Sequence, residues 1–351
     1  MPDYPPGQEL SSHMRLLALA MLSLAATAAL AQQAPMEAPA PAAVEAVESA
    51  SGTIEEVTVS GEQPGPGLWK ISKDGHVMWV LGALQPLPNK MSWRSRSVEA
   101  AVAESQALLI PPKVDAGIGF FRGMTLLPSM LGARKNPDGA TLQEVLPPDL
   151  YARWLALKAR YIGRNEAIEK WRPIFAAGEL YEKAIAKSAL TTRSDVLPVV
   201  KKIAKQHQVK LIEPTLEIQI DKPGQAIKQF KKSSLQDIAC FATTLDRLET
   251  DLGAMRARAT AWAVGDVDAL RRLPYPDQFG ACGSAILNSP IVQDRGLQDV
   301  LQRVESLWLE QAQAALASNE VTFAVLPISQ LLRADGYIAK LQARGYDVEA
   351  P

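Results

Sequence analysis

The sequence predicts an α/β domain in which strand and helix units from both ends of the chain form one central mixed sheet, flanked by helices. Two observations predict this fold. β-rich runs followed by helical periodicity occur near Gly67 and again after Val321, and the long segment between them has helical apolar spacing. The 351 residues, 47% of them hydrophobic, are enough for a large core.

The N-terminal segments are expected to lie outside this domain. Residues 1–13 are polar and precede a second Met, which suggests an upstream mis-start. Residues 14–31 have one Arg, an apolar middle and a small-residue ending, which predicts a signal peptide cleaved after Ala31. The alternative is a transmembrane anchor, but the apolar run in this segment is shorter than the roughly 20 residues that a membrane span needs. Residues 32–62 are rich in Ala, Pro and Glu and predict a flexible tether before the domain at 63–351. The sequence therefore predicts a periplasmic or secreted protein.

Composition restricts the partners. A net charge of −1 gives no support for nucleic-acid binding. We expect a small molecule, a peptide or an envelope protein as the partner, and no stable transmembrane segment after signal cleavage. The segment 54–61 could also pair with an envelope protein as an added strand, although a lead-in strand or disorder is favoured.

Cys240 and Cys282 are the two cysteines of the chain. In an oxidising compartment such a pair is expected to form a disulfide, which would contribute roughly 4 kcal/mol by constraining the unfolded chain. Two buried free thiols are the alternative.

The first elements of the domain form a hairpin and a helix. Residues 67–72 and 76–84 are β-rich and are separated by the turn Lys73-Asp74-Gly75. Apolar residues at helical spacing predict a helix from Arg94 to Ser105, and the run Ala107 to Ile110 predicts a buried strand.

The middle of the domain is predicted to be helical, with one short strand at Val209 to Ile212. The last third repeats the order of helix, strand and helix, ending in a short extended segment from Tyr346 to Val348. The predicted helices are residues 147–159, 173–189, 194–206, 224–264 with a break near Gly253, 293–317 and 332–344, and the predicted late strand is 321–326.

A motif follows the second hairpin strand. It is Gly82-Ala83-Leu84-Gln85, with Leu87-Pro88 and Trp93-Arg94 after it. This segment resembles the opening of the TraB/GumN family, which includes the Tiki-type metalloproteases and is related to ChaN and erythromycin-esterase-like folds. The resemblance implies Gly-x-x-His where this chain has Gln85.

Three further family motifs have counterparts in this chain. The family's next strand ends in a metal-site Glu, and that position is Pro111 here. A second Gly-x-x-His before the last helix corresponds to Pro327-Ile328-Ser329-Gln330. An Arg-Asn dipeptide before the penultimate helix corresponds to Arg295-Gly296. The resemblance covers Gly67 to the C-terminus, and its metal ligands are the residues that have changed.

The substitutions bear on the chemistry. Relatives use a divalent metal, but replacing two imidazoles by amides and a carboxylate by Pro removes the strong ligands and the negative charge. We therefore expect no metal cofactor, and we assign no catalytic residue. His13, His76 and His207 lack ligand-spaced partners and are read as surface or capping residues. Ser329 has no base within visible reach.

Two functional hypotheses remain open. The first is a pseudoenzyme, an envelope binding or accessory protein that has lost metal-dependent hydrolysis. The second is a Tiki-like peptidase with an oxygen-ligand site for a hard cation. Gln85 and Gln330 either form a polar pocket, with Arg295 as a cation for a carboxylate, or close a filled one.

Overall fold

A computed structural model describes residues 65–89, 91–93, 96–117, 120–193, 196–233, 235–273 and 278–351. The predicted mis-start, signal peptide and tether lie outside the described residues, and so does Arg94. No helix in the described part of the chain is long and apolar enough to cross a membrane.

A six-stranded mixed sheet lies at the centre of the domain, as predicted. Its strand order is β10-β1-β2-β9-β4-β7, so the C-terminal strands β9 and β10 each lie beside strands from the N-terminal part of the chain. β1 is antiparallel to both of its neighbours, whereas β2, β9, β4 and β7 are mutually parallel. The strands are β1 Leu68–Lys73, β2 His76–Ala83, β3 Leu87–Pro88, β4 Ala107–Leu109, β5 Lys113–Asp115, β6 Leu190–Thr191, β7 Lys210–Ile212, β8 Thr215–Glu217, β9 Val321–Pro327 and β10 Asp347–Glu349.

Some helices flank this sheet, and several from the middle of the chain pack against one another. The helices are α1 Arg96–Ala103, α2 Phe120–Ala133, α3 Leu142–Val145, α4 Pro148–Tyr161, α5 Pro173–Lys187, α6 Val196–Gln206, α7 Pro223–Lys232, α8 Ile238–Thr250, α9 Leu252–Ala263, α10 Val267–Arg272, α11 Gln278–Leu287, α12 Pro290–Gln293, α13 Val300–Ser318, α14 Ile328–Leu332 and α15 Tyr337–Gln342. Short 3₁₀ turns lie at Pro137–Gly139 and Ala167–Lys170.

The predicted hairpin is confirmed, and its turn explains its register. Lys73 pairs with His76, which leaves Asp74 and Gly75 as the turn residues. Both have positive φ, 52° and 85°. This is the backbone that a two-residue Asp-Gly turn requires, so the local sequence fixes which residues of β1 and β2 face each other.

Two hydrophobic clusters divide the domain. The larger one surrounds the sheet and includes Ile71, Phe323 and Trp308, all completely or almost completely buried. The second packs α4, α5 and α8 around Trp154 and Phe241, whose ring centroids are 5.6 Å apart. The helical middle therefore has a core of its own beside the sheet.

Three predicted helices are corrected by the structure. The segment 224–264 is broken at residues 233–237 as well as at Asp251, and forms α7, α8 and α9. The helix predicted at 293–317 begins only at Val300, because Gly296 has a φ of +60° and ends α12 in a turn. The helix predicted at 332–344 begins later, as α15 at Tyr337, and the separate short helix α14 ends at Leu332.

The last of these breaks has a visible cause. Arg333 donates to both carboxylate oxygens of Asp335, at 2.9 and 2.8 Å. A Cβ built on Gly336 would lie 2.1 Å from the Gln330 carbonyl oxygen, so the chain folds back tightly on α14 and only glycine fits.

Candidate functional site

The two altered motifs lie side by side at the carboxyl end of the sheet. Gly82 on β2 pairs with Leu326 on β9, and Ala83 pairs with Pro327. On the other side of β9, Leu109 of β4 pairs with Ala324, so Pro111 follows at the same edge. The topology therefore brings together three of the segments that the sequence singled out.

Helix α14 closes directly onto Gly82. A Cβ built on Gly82 would lie 2.2 Å from the Cδ1 atom of Ile328 and 3.1 Å from that of Leu331. Ile328 and Leu331 are buried. The space beside the end of β2 is thus filled by the aliphatic side chains of Ile328, in the second motif, and Leu331, directly after it, and glycine is needed there for close packing.

Two buried indoles bind the carbonyl groups at the ends of β2 and β4. The Trp262 indole N–H donates to the Gly82 carbonyl at 2.5 Å, and that of Trp308 donates to the Ile110 carbonyl at 3.2 Å. Each indole is also packed by another aromatic ring, Trp262 by Trp93 and Trp308 by Tyr337, with centroids 5.6 and 5.0 Å apart. Burial raises the pKa of the Tyr337 phenol, and the Glu305 carboxylate adds to the increase.

The two motif glutamines differ in environment. Gln85 is exposed and Gln330 is half-buried, as is Pro111. Within the described part of the chain, neither glutamine side chain makes a hydrogen bond, either to the other or to another residue. Their amides are therefore available to solvent or to a ligand, and they do not stabilise a shared internal network.

Arg295 makes its contacts away from the strand ends. Its guanidinium donates to the Ile291 carbonyl at 3.0 Å and to the Gln229 side chain at 2.9 Å. It therefore links the turn after α12 to α7. The hydrogen bonds of the described residues do not connect Arg295 with Gln85, Pro111 or Gln330.

The donor set at the strand ends does not fit a transition metal. Two neutral amides and a Pro offer no imidazole, thiolate or carboxylate. Among the described residues no three His, Cys, Asp or Glu side chains are grouped closely enough to hold a metal. His76 instead contacts the Asn319 carbonyl through Nδ1 at 2.7 Å, and His207 is exposed beyond α6.

A groove of about 280 Å³ opens beside this site. It runs along the two-stranded sheet of β3 and β6, which begins two residues after Gln85. Its lining combines apolar surface with polar groups at Leu87, Pro88, Asn89, Met91, Trp93, Thr191 and Arg193. Leu87 and Trp93 are buried, whereas Asn89 and Arg193 are exposed. The floor of the groove is therefore apolar, and its rim is polar and carries a cation.

In a comparison with protein families, the TraB/PrgY/gumN family matches residues 67–350, a range that includes both motifs at the strand ends. The chain belongs to the TraB/PrgY/gumN family. This confirms the resemblance drawn from the Gly82 and Pro327 motifs. Comparisons with curated proteins and with solved structures give no match.

Sequence reasoning missed several residues that shape the site of this TraB/PrgY/gumN protein. Trp262 and Trp308 lie in helices whose apolar spacing predicts only burial, and Arg193 lies in a short polar loop. The predicted disulfide, by contrast, is confirmed: Cys240 and Cys282 are bonded and join α8 to α11. It lies in a small cluster with Ile174 and Ala285.

Proposed function

We propose that this protein is a binding or accessory protein of the cell envelope that has lost metal-dependent hydrolysis. The observation that carries the proposal is the chemistry at the strand ends. Neutral glutamines and a Pro stand at the positions of the family's metal ligands. In addition, Ile328 packs against Gly82, and the Trp262 and Trp308 indoles donate to carbonyl groups at the strand ends.

The groove beside β3 and β6 is the proposed binding site. Its volume of about 280 Å³ lies just below the roughly 300–1,000 Å³ typical of small-molecule pockets. It therefore suits one or two side chains of a peptide. Met91 and Trp93 offer an apolar floor, and the Arg193 guanidinium at the rim suits a carboxylate.

A ligand titration tests this binding site. N-acetyl-leucine and its neutral amide would be compared by saturation-transfer NMR with the purified protein. We expect the carboxylate to bind more tightly and this preference to disappear in Arg193→Ala. Arg271→Ala, at an exposed position on α10, is the control and should behave as wild type. Equal signals for both probes in all three proteins would exclude this groove.

Catalysis is tested separately. A mixture of peptides would be incubated with the protein in the presence of Mn²⁺, Zn²⁺ or a chelator, and the bound metal would be measured by mass spectrometry. We expect no cleavage and no stoichiometric metal. Metal-dependent cleavage that is lost in Gln85→Ala or Gln330→Ala would support the alternative hydrolase and contradict the proposal.

A further inference from the structure

The segments that contain α2 and α7 have a charge balance unlike that of the whole chain. Residues 116–137 contain no Asp or Glu, and neither do residues 222–236. The second segment carries Lys222, Lys228, Lys231 and Lys232. The full chain has a net charge of −1, so positive charge is concentrated where these two helices pack together.

Helix α2 presents apolar side chains to solvent. Met124 is 49% exposed and Leu131 is 37% exposed, and Pro128 is exposed between them. These residues follow the spacing i, i+4, i+7, which places them in one stripe along the helix. Single exposed apolar residues are common on protein surfaces, but a continuous stripe indicates a contact surface.

Cations lie next to this stripe. The Lys231 ammonium would be 2.9 Å from a Cβ built on Gly132, so it lies against the last turn of α2, beside Leu131. Lys228 and Lys232 are exposed, and with Gln225 and Gln229 they form a polar face of α7 at helical spacing.

The buried Arg172 anchors α7 to the rest of the fold. It donates to the carbonyl groups of Phe230, Lys231 and Ser233 at 2.8–3.1 Å, and so satisfies the carboxyl end of the helix. The lysines are therefore carried on a helix whose position is fixed.

We propose that the α2–α7 face binds the surface of a bilayer containing anionic phospholipids. The Met124, Pro128 and Leu131 stripe lies among the acyl chains near the headgroups, and the α7 lysines contact the headgroup phosphates. The 14 residues of α2 extend about 21 Å, which is shorter than the hydrocarbon core of about 30 Å. The helix therefore lies in the interface and does not cross it.

Vesicle co-sedimentation tests this surface. The full chain would be purified after export, its N-terminus identified by mass spectrometry, and mixed with vesicles of phosphatidylcholine alone or with added phosphatidylglycerol. We expect binding to the anionic vesicles, decreasing with salt. Lys228→Gln and Lys232→Gln should each lower the partition coefficient roughly fivefold. Met124→Ser with Leu131→Ser should abolish binding even at low salt.

Matched controls separate this face from general surface properties. Leu155→Ser removes a leucine on α4 whose exposure lies between those of Met124 and Leu131, and Lys202→Gln with Lys205→Gln removes exposed charges on α6. Both should bind as wild type. The proposal is overturned by absent binding, by equal binding to both vesicle types, or by loss of binding in the controls.

A second copy of the chain is the competing occupant of this face, and light scattering without lipid detects it. Self-association that disappears in Met124→Ser with Leu131→Ser, together with no vesicle binding, would assign the stripe to a dimer and overturn the bilayer proposal.

Discussion

The sheet and the helical middle solve the same problem, the burial of polar atoms, in different ways. At the sheet's carboxyl end, single indole N–H groups bind the Gly82 and Ile110 carbonyls within apolar surroundings. In the helical middle, Asp251 accepts hydrogen bonds from Arg247 and Arg258, and all three are almost fully buried. The packing at the carboxyl end of the sheet therefore depends on close fit of neutral side chains, whereas that of the helical middle depends on buried ion pairs.

Removing the carboxylate of Asp251 is expected to have the largest effect. Arg258 donates to both of its oxygens, at 2.9 and 2.6 Å, and Arg247 donates to one at 3.3 Å. Asp251→Ala removes this shared acceptor and leaves buried guanidinium charge less compensated. We expect the free energy of unfolding to fall by about 3–5 kcal/mol in urea denaturation.

Asp268→Ala is the control for that measurement. Asp268 pairs with Arg271 at the surface, where the two side chains are 77% and 50% exposed, so the loss should be at most about 1 kcal/mol. Similar losses for the two variants would show that burial does not distinguish the two ion pairs.

Removing the disulfide should lower the free energy of unfolding by a comparable or slightly smaller amount. Cys240→Ala with Cys282→Ala opens a loop whose ends are 42 residues apart, and the chain-entropy estimate is about 4 kcal/mol. Thermal unfolding should show a lower Tm for this variant, and a reductant should lower the Tm of the wild type alone. A reductant that lowers the Tm of both proteins equally would contradict this assignment.

A methyl group added at Gly82 tests the shape of the sheet end. Gly82→Ala forces the Ile328 side chain away from β2, at a cost of about 1–3 kcal/mol. Ile328→Val should recover part of this loss in the double variant, as measured by a double-mutant cycle. Gly178→Ala, in open space on α5, should not destabilise the protein. Additive effects of Gly82→Ala and Ile328→Val would argue against direct packing.

Substitution of the exposed Gln85 should change the free energy of unfolding least. Gln85 makes no hydrogen bond among the described residues, so Gln85→Ala should change the free energy of unfolding by less than about 0.5 kcal/mol. Denaturation under the conditions used for Gly82→Ala gives the comparison. A loss above about 1 kcal/mol would mean that Gln85 is part of the packed strand end.

Local patterns predicted the elements whose ends are decided locally. The Asp74-Gly75 turn fixed the hairpin, and a short apolar run placed β9 within one residue of its observed end. The helix predicted at 332–344 began too early, because the chain reverses at Gly336, where an added Cβ would lie 2.1 Å from the Gln330 carbonyl oxygen. Its later part is confirmed as α15. Helical spacing alone cannot reveal such a reversal.

The candidate site was predicted only in part, for a similar reason. The resemblance to the family assigned Gly82, Gln85, Pro111, Arg295, Pro327 and Gln330 to one motif pocket. It did not show that Arg295 binds Gln229, because that contact depends on how α7 packs against the turn after α12. Nor did it find Arg193, whose role at the groove depends on the pairing of β3 with β6.

The sequence by itself determined the family and the mixed sheet built from both chain ends, and it places two amides and a proline, Gln85, Gln330 and Pro111, in the motifs. Tertiary structure decided what occupies the strand ends. Trp262 binds a carbonyl 180 residues away, and Trp308 binds one 198 residues away. Residue spacing reports local periodicity, whereas contacts between such distant residues depend on the packing of whole elements.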